Sequence, residues 1–186
     1  MNAESVIEHL IDALNASGID YVIVGSLASS FYGLSRSTQD ADVVIAFHSD
    51  QLHELIQLLS PRFERDPQLA FETVTGTTKT VLQDRESQFQ IEVFYLSEDP
   101  HDQERFARRR LANIFDRHAY LLAPEDVVVT KLRWAHLAGR PKDVTDVQTV
   151  IRIQGDTLDW PYIERWAERH ETQPLLARIR DELDMI

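Results

Sequence analysis

Apolar residues recur at Val6, Ile7, Leu10, Ile11 and Leu14, the spacing of one helical face, and predict a helix over residues 5–15 that Gly18 stops. Tyr21-Val22-Ile23-Val24 is short, apolar and β-branched, and reads as a buried strand. Gly25 breaks it. Ser26 is placed to cap a helix through Leu27, Ala28, Phe31 and Tyr32 that ends near Gly33. Residues 42–47 read as a second strand. His48-Ser49-Asp50 opens a further helix with Leu52, Leu55, Ile56 and Leu59 inward, closed by Pro61.

The pattern from Phe63 to Leu96 is strand-like, with segments 71–74, 77–82 and 89–96 separated by Gly76 and by a polar stretch at 83–88. After Asp102 the spacing predicts a helix to about Leu111, then a short extended piece at 119–122. Pro124-Glu125-Asp126 opens a helix to about Ala138. Gly139-Arg140-Pro141 interrupts, and helices follow over 142–153, 160–169 and 174–183. The fold class expected is α+β, a mixed central sheet flanked by helices with a C-terminal helical subdomain. The expected division is an α/β core at 1–118 and a helical part at 119–186.

Composition narrows the field. The chain's 186 residues suffice for one domain with a proper core and a small appended subdomain. No apolar run approaches the ~20 residues a membrane span needs, and the first residues lack a secretory pattern, so a cytoplasmic protein with no membrane partner is expected. The absence of cysteine excludes disulfides and thiolate metal sites. The seven histidines show no H-x₃-H spacing and suggest no zinc. Acids outnumber bases 31 to 19, a net charge of −12 that repels a polyanion overall. Arg105, Arg108, Arg109 and Arg110, near Arg117, form one local basic cluster. It reads either as a solvated helix face or as a surface for a nucleic acid or an acidic partner.

Three short stretches carry candidate chemistry. Asp40-Ala41-Asp42 precedes Val43-Val44-Ile45, so both carboxylates share a face if the strand begins by position 40, and the apolar continuation implies burial. Glu92 stands between Ile91 and Val93 on another strand. Burying unpaired carboxylates costs several kcal/mol, and Mg²⁺, an oxygen-loving ion that bridges carboxylates to phosphates, removes that cost. Gly25-Ser26 lies at a strand-to-helix junction, where free N–H groups and the helix dipole favour phosphate. Each piece has a plainer reading: a D-x-D as a turn or edge strand, Glu92 as half of an ion pair, Gly-Ser as a helix cap. No Walker loop, G-x-S-x-G or cysteine nucleophile is present.

The order V-G-S-L-A-S-S-F-Y-G-L-S-R-S-T-Q-D-A-D-V-V-I, from Val24 to Ile45, resembles the nucleotidyltransferase superfamily of DNA polymerase β-type fold. Gly25, Ser26, Arg36, Thr38, Asp40 and Asp42 occupy its motif, and Glu92 suits its third acid. Ala123-Pro124-Glu125-Asp126, Lys131-Leu132 and Arg140-Pro141-Lys142-Asp143-Val144-Thr145-Asp146 are similar to later segments of AbiEii-type toxins and related small bacterial members. The resemblance implies two Mg²⁺ ions, with Mn²⁺ as the alternative, on Asp40, Asp42 and Glu92. It implies a nucleoside triphosphate on Gly25, Ser26, Arg36 and Thr38, with Asp143 and Asp146 assisting, and Lys131 neutralising phosphate charge. From the residues alone, Lys131 either snorkels outward or points at an anion, and the two aspartates either serve their own helix through Lys142 or Arg140 or orient Lys131. The implied reaction moves a nucleotidyl group to an acceptor hydroxyl of RNA, protein or a small molecule. The alternative is an inactive nucleotide- or partner-binding module, one half of a toxin–antitoxin pair. The negative charge sits poorly with a tRNA acceptor.

Overall fold

The computed structural model describes residues 3–35, 37–46 and 48–184. The chain forms two compact units, Met1–Leu27 with Ser37–Leu122, and Ala28–Arg36 with Ala123–Ile186. The division follows packing and not chain order: it falls inside one helix, after the first turn.

The first unit holds α1 (Ala3–Ser17), β1 (Tyr21–Ile23), the start of α2 (Gly25–Tyr32), β2 (Asp40–Ile45), α3 (Ser49–Leu59), β3 (Phe63–Arg65), β4 (Ala70–Glu72), β5 (Thr77–Asp84), β6 (Gln90–Tyr95), α4 (Pro100–Ala107), β7 (Arg110–Ile114) and β8 (Arg117–Leu121). The strands make one mixed sheet in the order β3-β5-β6-β2-β1-β8-β7, with β4 pairing off β5. β2 runs antiparallel to β1 and parallel to β6; β5 runs antiparallel to β6.

Alternation gives the sheet two unlike faces. Ile23, Val43, Ile45, Ile91, Val93 and Leu82 share one face and are almost wholly buried. α1 lies against this face with Leu10, Ile11 and Leu14 buried, and Tyr21 Oη donates to Asn15 Oδ1 at 2.9 Å. On the opposite face Asp40, Asp42, Glu92 and Lys79 are only part-buried. One side of the sheet is thus buried at nearly every position, while on the other the part-buried acids lie beside buried Val22 and Val44.

Two expectations need correction. The helix expected to run to Leu111 ends at Ala107, and Leu111 lies in β7, which pairs antiparallel with β8. The arginine-rich stretch hid the strand, because β7 is an edge with little apolar alternation. The basic cluster is therefore not one helix face. Arg105 is buried against Asp102, Arg109 pairs with Asp20 at 2.8 Å, and Arg117 pairs with Asp12 and Glu8 at 2.8 and 2.9 Å. Segment 71–74 is also shorter than expected: β4 ends at Glu72, whose carboxylate accepts hydrogen bonds from the Val74 and Thr75 amides and so shapes the turn into β5. Phe47, the expected end of the second strand, lies outside the described residues.

The second unit is helical: the rest of α2, then α5 (Pro124–Ala138), α6 (Pro141–Gln154), α7 (Trp160–Arg169) and α8 (Gln173–Asp184). Pro opens α5 and α6, where a missing N–H costs nothing, and Gly139 ends α5 at φ 60°. Its core includes Val128, Leu132, Val147, Val150, Ile163 and Trp166. Buried Asp126 accepts a hydrogen bond from Tyr162 Oη, and Glu125 Oε1 accepts one from the Asp159 amide at 3.3 Å, so polar pairs fix α7 on α5. Among the described residues no helix is long and apolar enough to cross a membrane.

Candidate active site

β2 and β6 run side by side in register, with Asp42 opposite Glu92 and Asp40 opposite Gln90. Period-two alternation puts Asp40, Asp42 and Glu92 on the same, less buried face. Two carboxylates directly abreast repel, so the arrangement calls for a cation.

The β1–α2 junction reaches over this face. Gly25 has φ 62°, a left-handed conformation that disfavours any side chain. A Cβ there would stand 1.9 Å from Asp42 Oδ2 and 2.7 Å from Cγ. The backbone passes so close to the carboxylate that only glycine fits. One residue on, buried Ser26 sits in the first turn of α2. Its hydroxyl donates to Asp40 Oδ1 at 3.1 Å and lies 2.8 Å from Thr38 Oγ1. Thr38 Oγ1 in turn donates to Asp40 Oδ1. Two hydroxyls therefore orient one carboxylate oxygen of Asp40, and the expected Ser26 cap is directed at Asp40. Gly25, Ser26, Thr38, Asp40 and Asp42 come together; Arg36 lies outside the described residues.

Glu92 shares their face but has its own partner. Lys79 Nζ, from β5, lies 2.6 Å from Glu92 Oε2 and 5.1 Å from the Phe94 ring centroid. Both side chains are about one-fifth exposed (20% and 23%). Among the described residues, no three His, Asp or Glu side chains cluster closely enough to hold a metal ion. Asp40 is turned to its hydroxyls and Glu92 to Lys79. The donor set still suits a hard divalent ion: all-oxygen, two aspartates at i and i+2 on one strand face, and a third acid in register with Asp42.

Lys79 escaped the sequence reading. Its phase on β5 matches that of Val81, but which residue of β6 it faces depends on the hairpin register, set by the 85–89 connection and not by alternation alone.

In the second unit Lys131, on α5, is buried. Its Nζ lies 2.8 Å from Asp143 Oδ1 and 2.8 Å from Asp146 Oδ2, both on α6. Of the two readings of these aspartates, the geometry favours their acting on Lys131; Arg140 approaches Asp143 more loosely, at 3.5 Å. The lysine points at anions, not outward.

The fold and the acid-bearing sheet face define a nucleotidyltransferase-type protein. Residues 4–184 match the model of the family described as "Nucleotidyltransferase of unknown function (DUF6036)", and the chain belongs to that family. Among solved structures it is similar to an antigenic nucleotidyltransferase-like protein from Paracoccidioides brasiliensis, at 19% identity over 95% of this chain and 90% of that one, with a TM-score of 0.61. It is also similar to the antibiotic-resistance factor ANT(2'')-Ia, at 11% identity over 96% of both chains and a TM-score of 0.61. A crystal structure of ANT(2'')-Ia in complex with adenylyl-2''-tobramycin gives 12% identity over 91% of this chain and 97% of that one, again with a TM-score of 0.61. At these identities the likeness is one of fold. No curated protein matches the chain.

Proposed function

We propose that the chain is a metal-dependent nucleotidyltransferase that moves a nucleoside monophosphate from a nucleoside triphosphate to an acceptor hydroxyl, releasing pyrophosphate. The observation that carries this reading is the approach of the Gly25 backbone to Asp42, on the face that also bears Asp40 and Glu92. Divalent ions, Mg²⁺ or Mn²⁺, would be held by Asp40 and Asp42 with Glu92, and would supply neutralisation of the entering and leaving oxygens. The residues do the rest. The amide groups at the start of α2 offer hydrogen bonds to the β- and γ-phosphates. Thr38 and Ser26 keep Asp40 aimed. Glu92 accepts the proton of the acceptor hydroxyl as its oxygen bonds to the α-phosphorus and the bond to pyrophosphate breaks.

The acceptor is a hydroxyl on a small molecule, a protein or an RNA. Net charge favours the first two, since a protein at −12 repels a polyanion. ANT(2'')-Ia, whose complex contains an adenylylated aminoglycoside, makes a cationic small molecule the first to try. Incubation of the protein with each labelled triphosphate, Mg²⁺ and a panel of aminoglycosides, RNAs and proteins tests the proposal. Label transfer that depends on Mg²⁺ and is lost in Asp42→Asn is the expected result; transfer that persists in Asp42→Asn overturns it.

A second reading has one observation in its favour, the engagement of Glu92 by Lys79. On it the chain binds nucleotide without transferring it and serves as a partner module, such as one half of a toxin–antitoxin pair. Saturable triphosphate binding with no transfer to any acceptor would support it.

A further inference from the structure

Along the sheet the order β5-β6-β2-β1 sets Lys79, Glu92, Asp42 and then Gly25 on successive elements across one face, with Lys79 opposite Phe94 and diagonal to Glu92. Lys79 therefore lies on the far side of Glu92 from the glycine turn. The triphosphate is assigned to that turn, so Lys79 is remote from the phosphates and flanks the site where an acceptor would approach. Its ammonium lies 2.6 Å from Glu92 Oε2 and rests beside the face of Phe94. Asp42 and Glu92 stand abreast on neighbouring strands about 4.8 Å apart, where like charges repel. A lysine ammonium, a compact point charge on a flexible stem, offsets that repulsion by drawing Glu92 toward β5. This also accounts for the third acid standing outside any metal-sized group.

We propose that Lys79 is a tethered counter-ion that holds Glu92 on the acceptor side of the site, and that a divalent cation must displace it before Glu92 can join Asp42. The inference rests on the metal–nucleotide reading of this face. Lys79 is then a positioning residue acting through Glu92. Its effect on metal affinity has a definite sign: the native lysine weakens binding, because part of the ion's interaction is spent on breaking the ion pair. A residue that merely braced the β5–β6 hairpin would, if removed, weaken binding or leave it unchanged.

The test is Mn²⁺ binding, read from the electron paramagnetic resonance signal of the free ion, with no turnover involved. Wild type, Lys79→Met, Glu92→Gln, the double variant and Asp42→Asn are compared, each checked for folding by circular dichroism. Wild type is expected to bind, Asp42→Asn to lose binding, and Lys79→Met to bind about three- to fivefold more tightly, the worth of a pair of this exposure. The double variant should bind like Glu92→Gln, since the lysine acts only through that carboxylate. Equal affinity of Lys79→Met and wild type, with Asp42→Asn still deficient, overturns the Lys79 inference and leaves the metal reading standing. A gain in the double variant equal to that in Lys79→Met also overturns it, because the lysine would then act as a general charge. Wild-type binding that is absent, or unaffected by Asp42→Asn, overturns the metal reading and the inference with it.

Discussion

Gly25 and Asp42 approach so closely that a methyl group on the glycine would sit 1.9 Å from the aspartate's Oδ2. This contact joins the turn after β1 to the strand that carries the acid pair.

Gly25→Ala combines two penalties. Alanine at φ 62° costs about 1–2 kcal/mol, and its Cβ must push the Asp42 carboxylate aside. The variant is expected to remain folded, with a lowered urea midpoint, and to lose triphosphate binding in a calorimetric assay. Retained binding at wild-type affinity would show that the close approach has no part in ligand recognition.

The hydroxyls of Thr38 and Ser26 both address Asp40 Oδ1. Thr38→Val keeps the shape and removes one of them. Groups that orient a ligating carboxylate typically contribute 10–100-fold to metal affinity or activity, so a fall of about that size is expected. Thr38→Ser, which restores the hydroxyl, should recover most of it. Metal titration of the three proteins decides the point.

Lys131 is buried between Asp143 and Asp146. Lys131→Met leaves two buried carboxylates with no ammonium between them, a loss of about 3 kcal/mol by comparison with other broken buried pairs. Adding Asp143→Asn and Asp146→Asn should restore part of that stability, as read by urea unfolding. A Lys131→Met protein of unchanged stability that has lost transfer would instead assign the ammonium wholly to substrate.

Away from the site, stability should carry an acid-sensitive component at Asp84. Burial alone would raise this carboxyl, but hydrogen bonds from Arg62 and Ser87 and the Arg62 charge outweigh it and hold it below the ordinary carboxylate range. A depressed folded value means that the stabilisation is fully present above the unfolded aspartate value of about 4 and is lost as pH falls through the folded one. Asp84→Asn should thus be less stable than wild type at pH 6. It should also lose less stability between about pH 4 and pH 2, a difference measurable by urea unfolding across that range.

Much of the fold was legible along the chain. Period-3.6 spacing located α1 and α3, and Pro and Gly marked the ends of α5. The D-x-D alternation put Asp40 and Asp42 on one face, as the burial of β2 bears out. The start of the edge strand β7 carries a helical expectation because neither face of that strand is deeply buried and its sequence shows no apolar alternation. Periodicity does not choose between the two orientations of Lys131, because sequence spacing places a side chain on a helix face without saying which helix lies opposite.

Residue type and periodicity by themselves determined most of the helices and the inner strands, that Asp40 and Asp42 share a face, and that a glycine ends the first strand. These depend on local geometry, which repeats every 2 or 3.6 residues. Only the tertiary structure decided that Glu92 stands in register with Asp42, that Lys79 holds it, and that Asp143 and Asp146 enclose Lys131. Strand register and helix pairing arise from packing between segments far apart in the chain, and no local period encodes them.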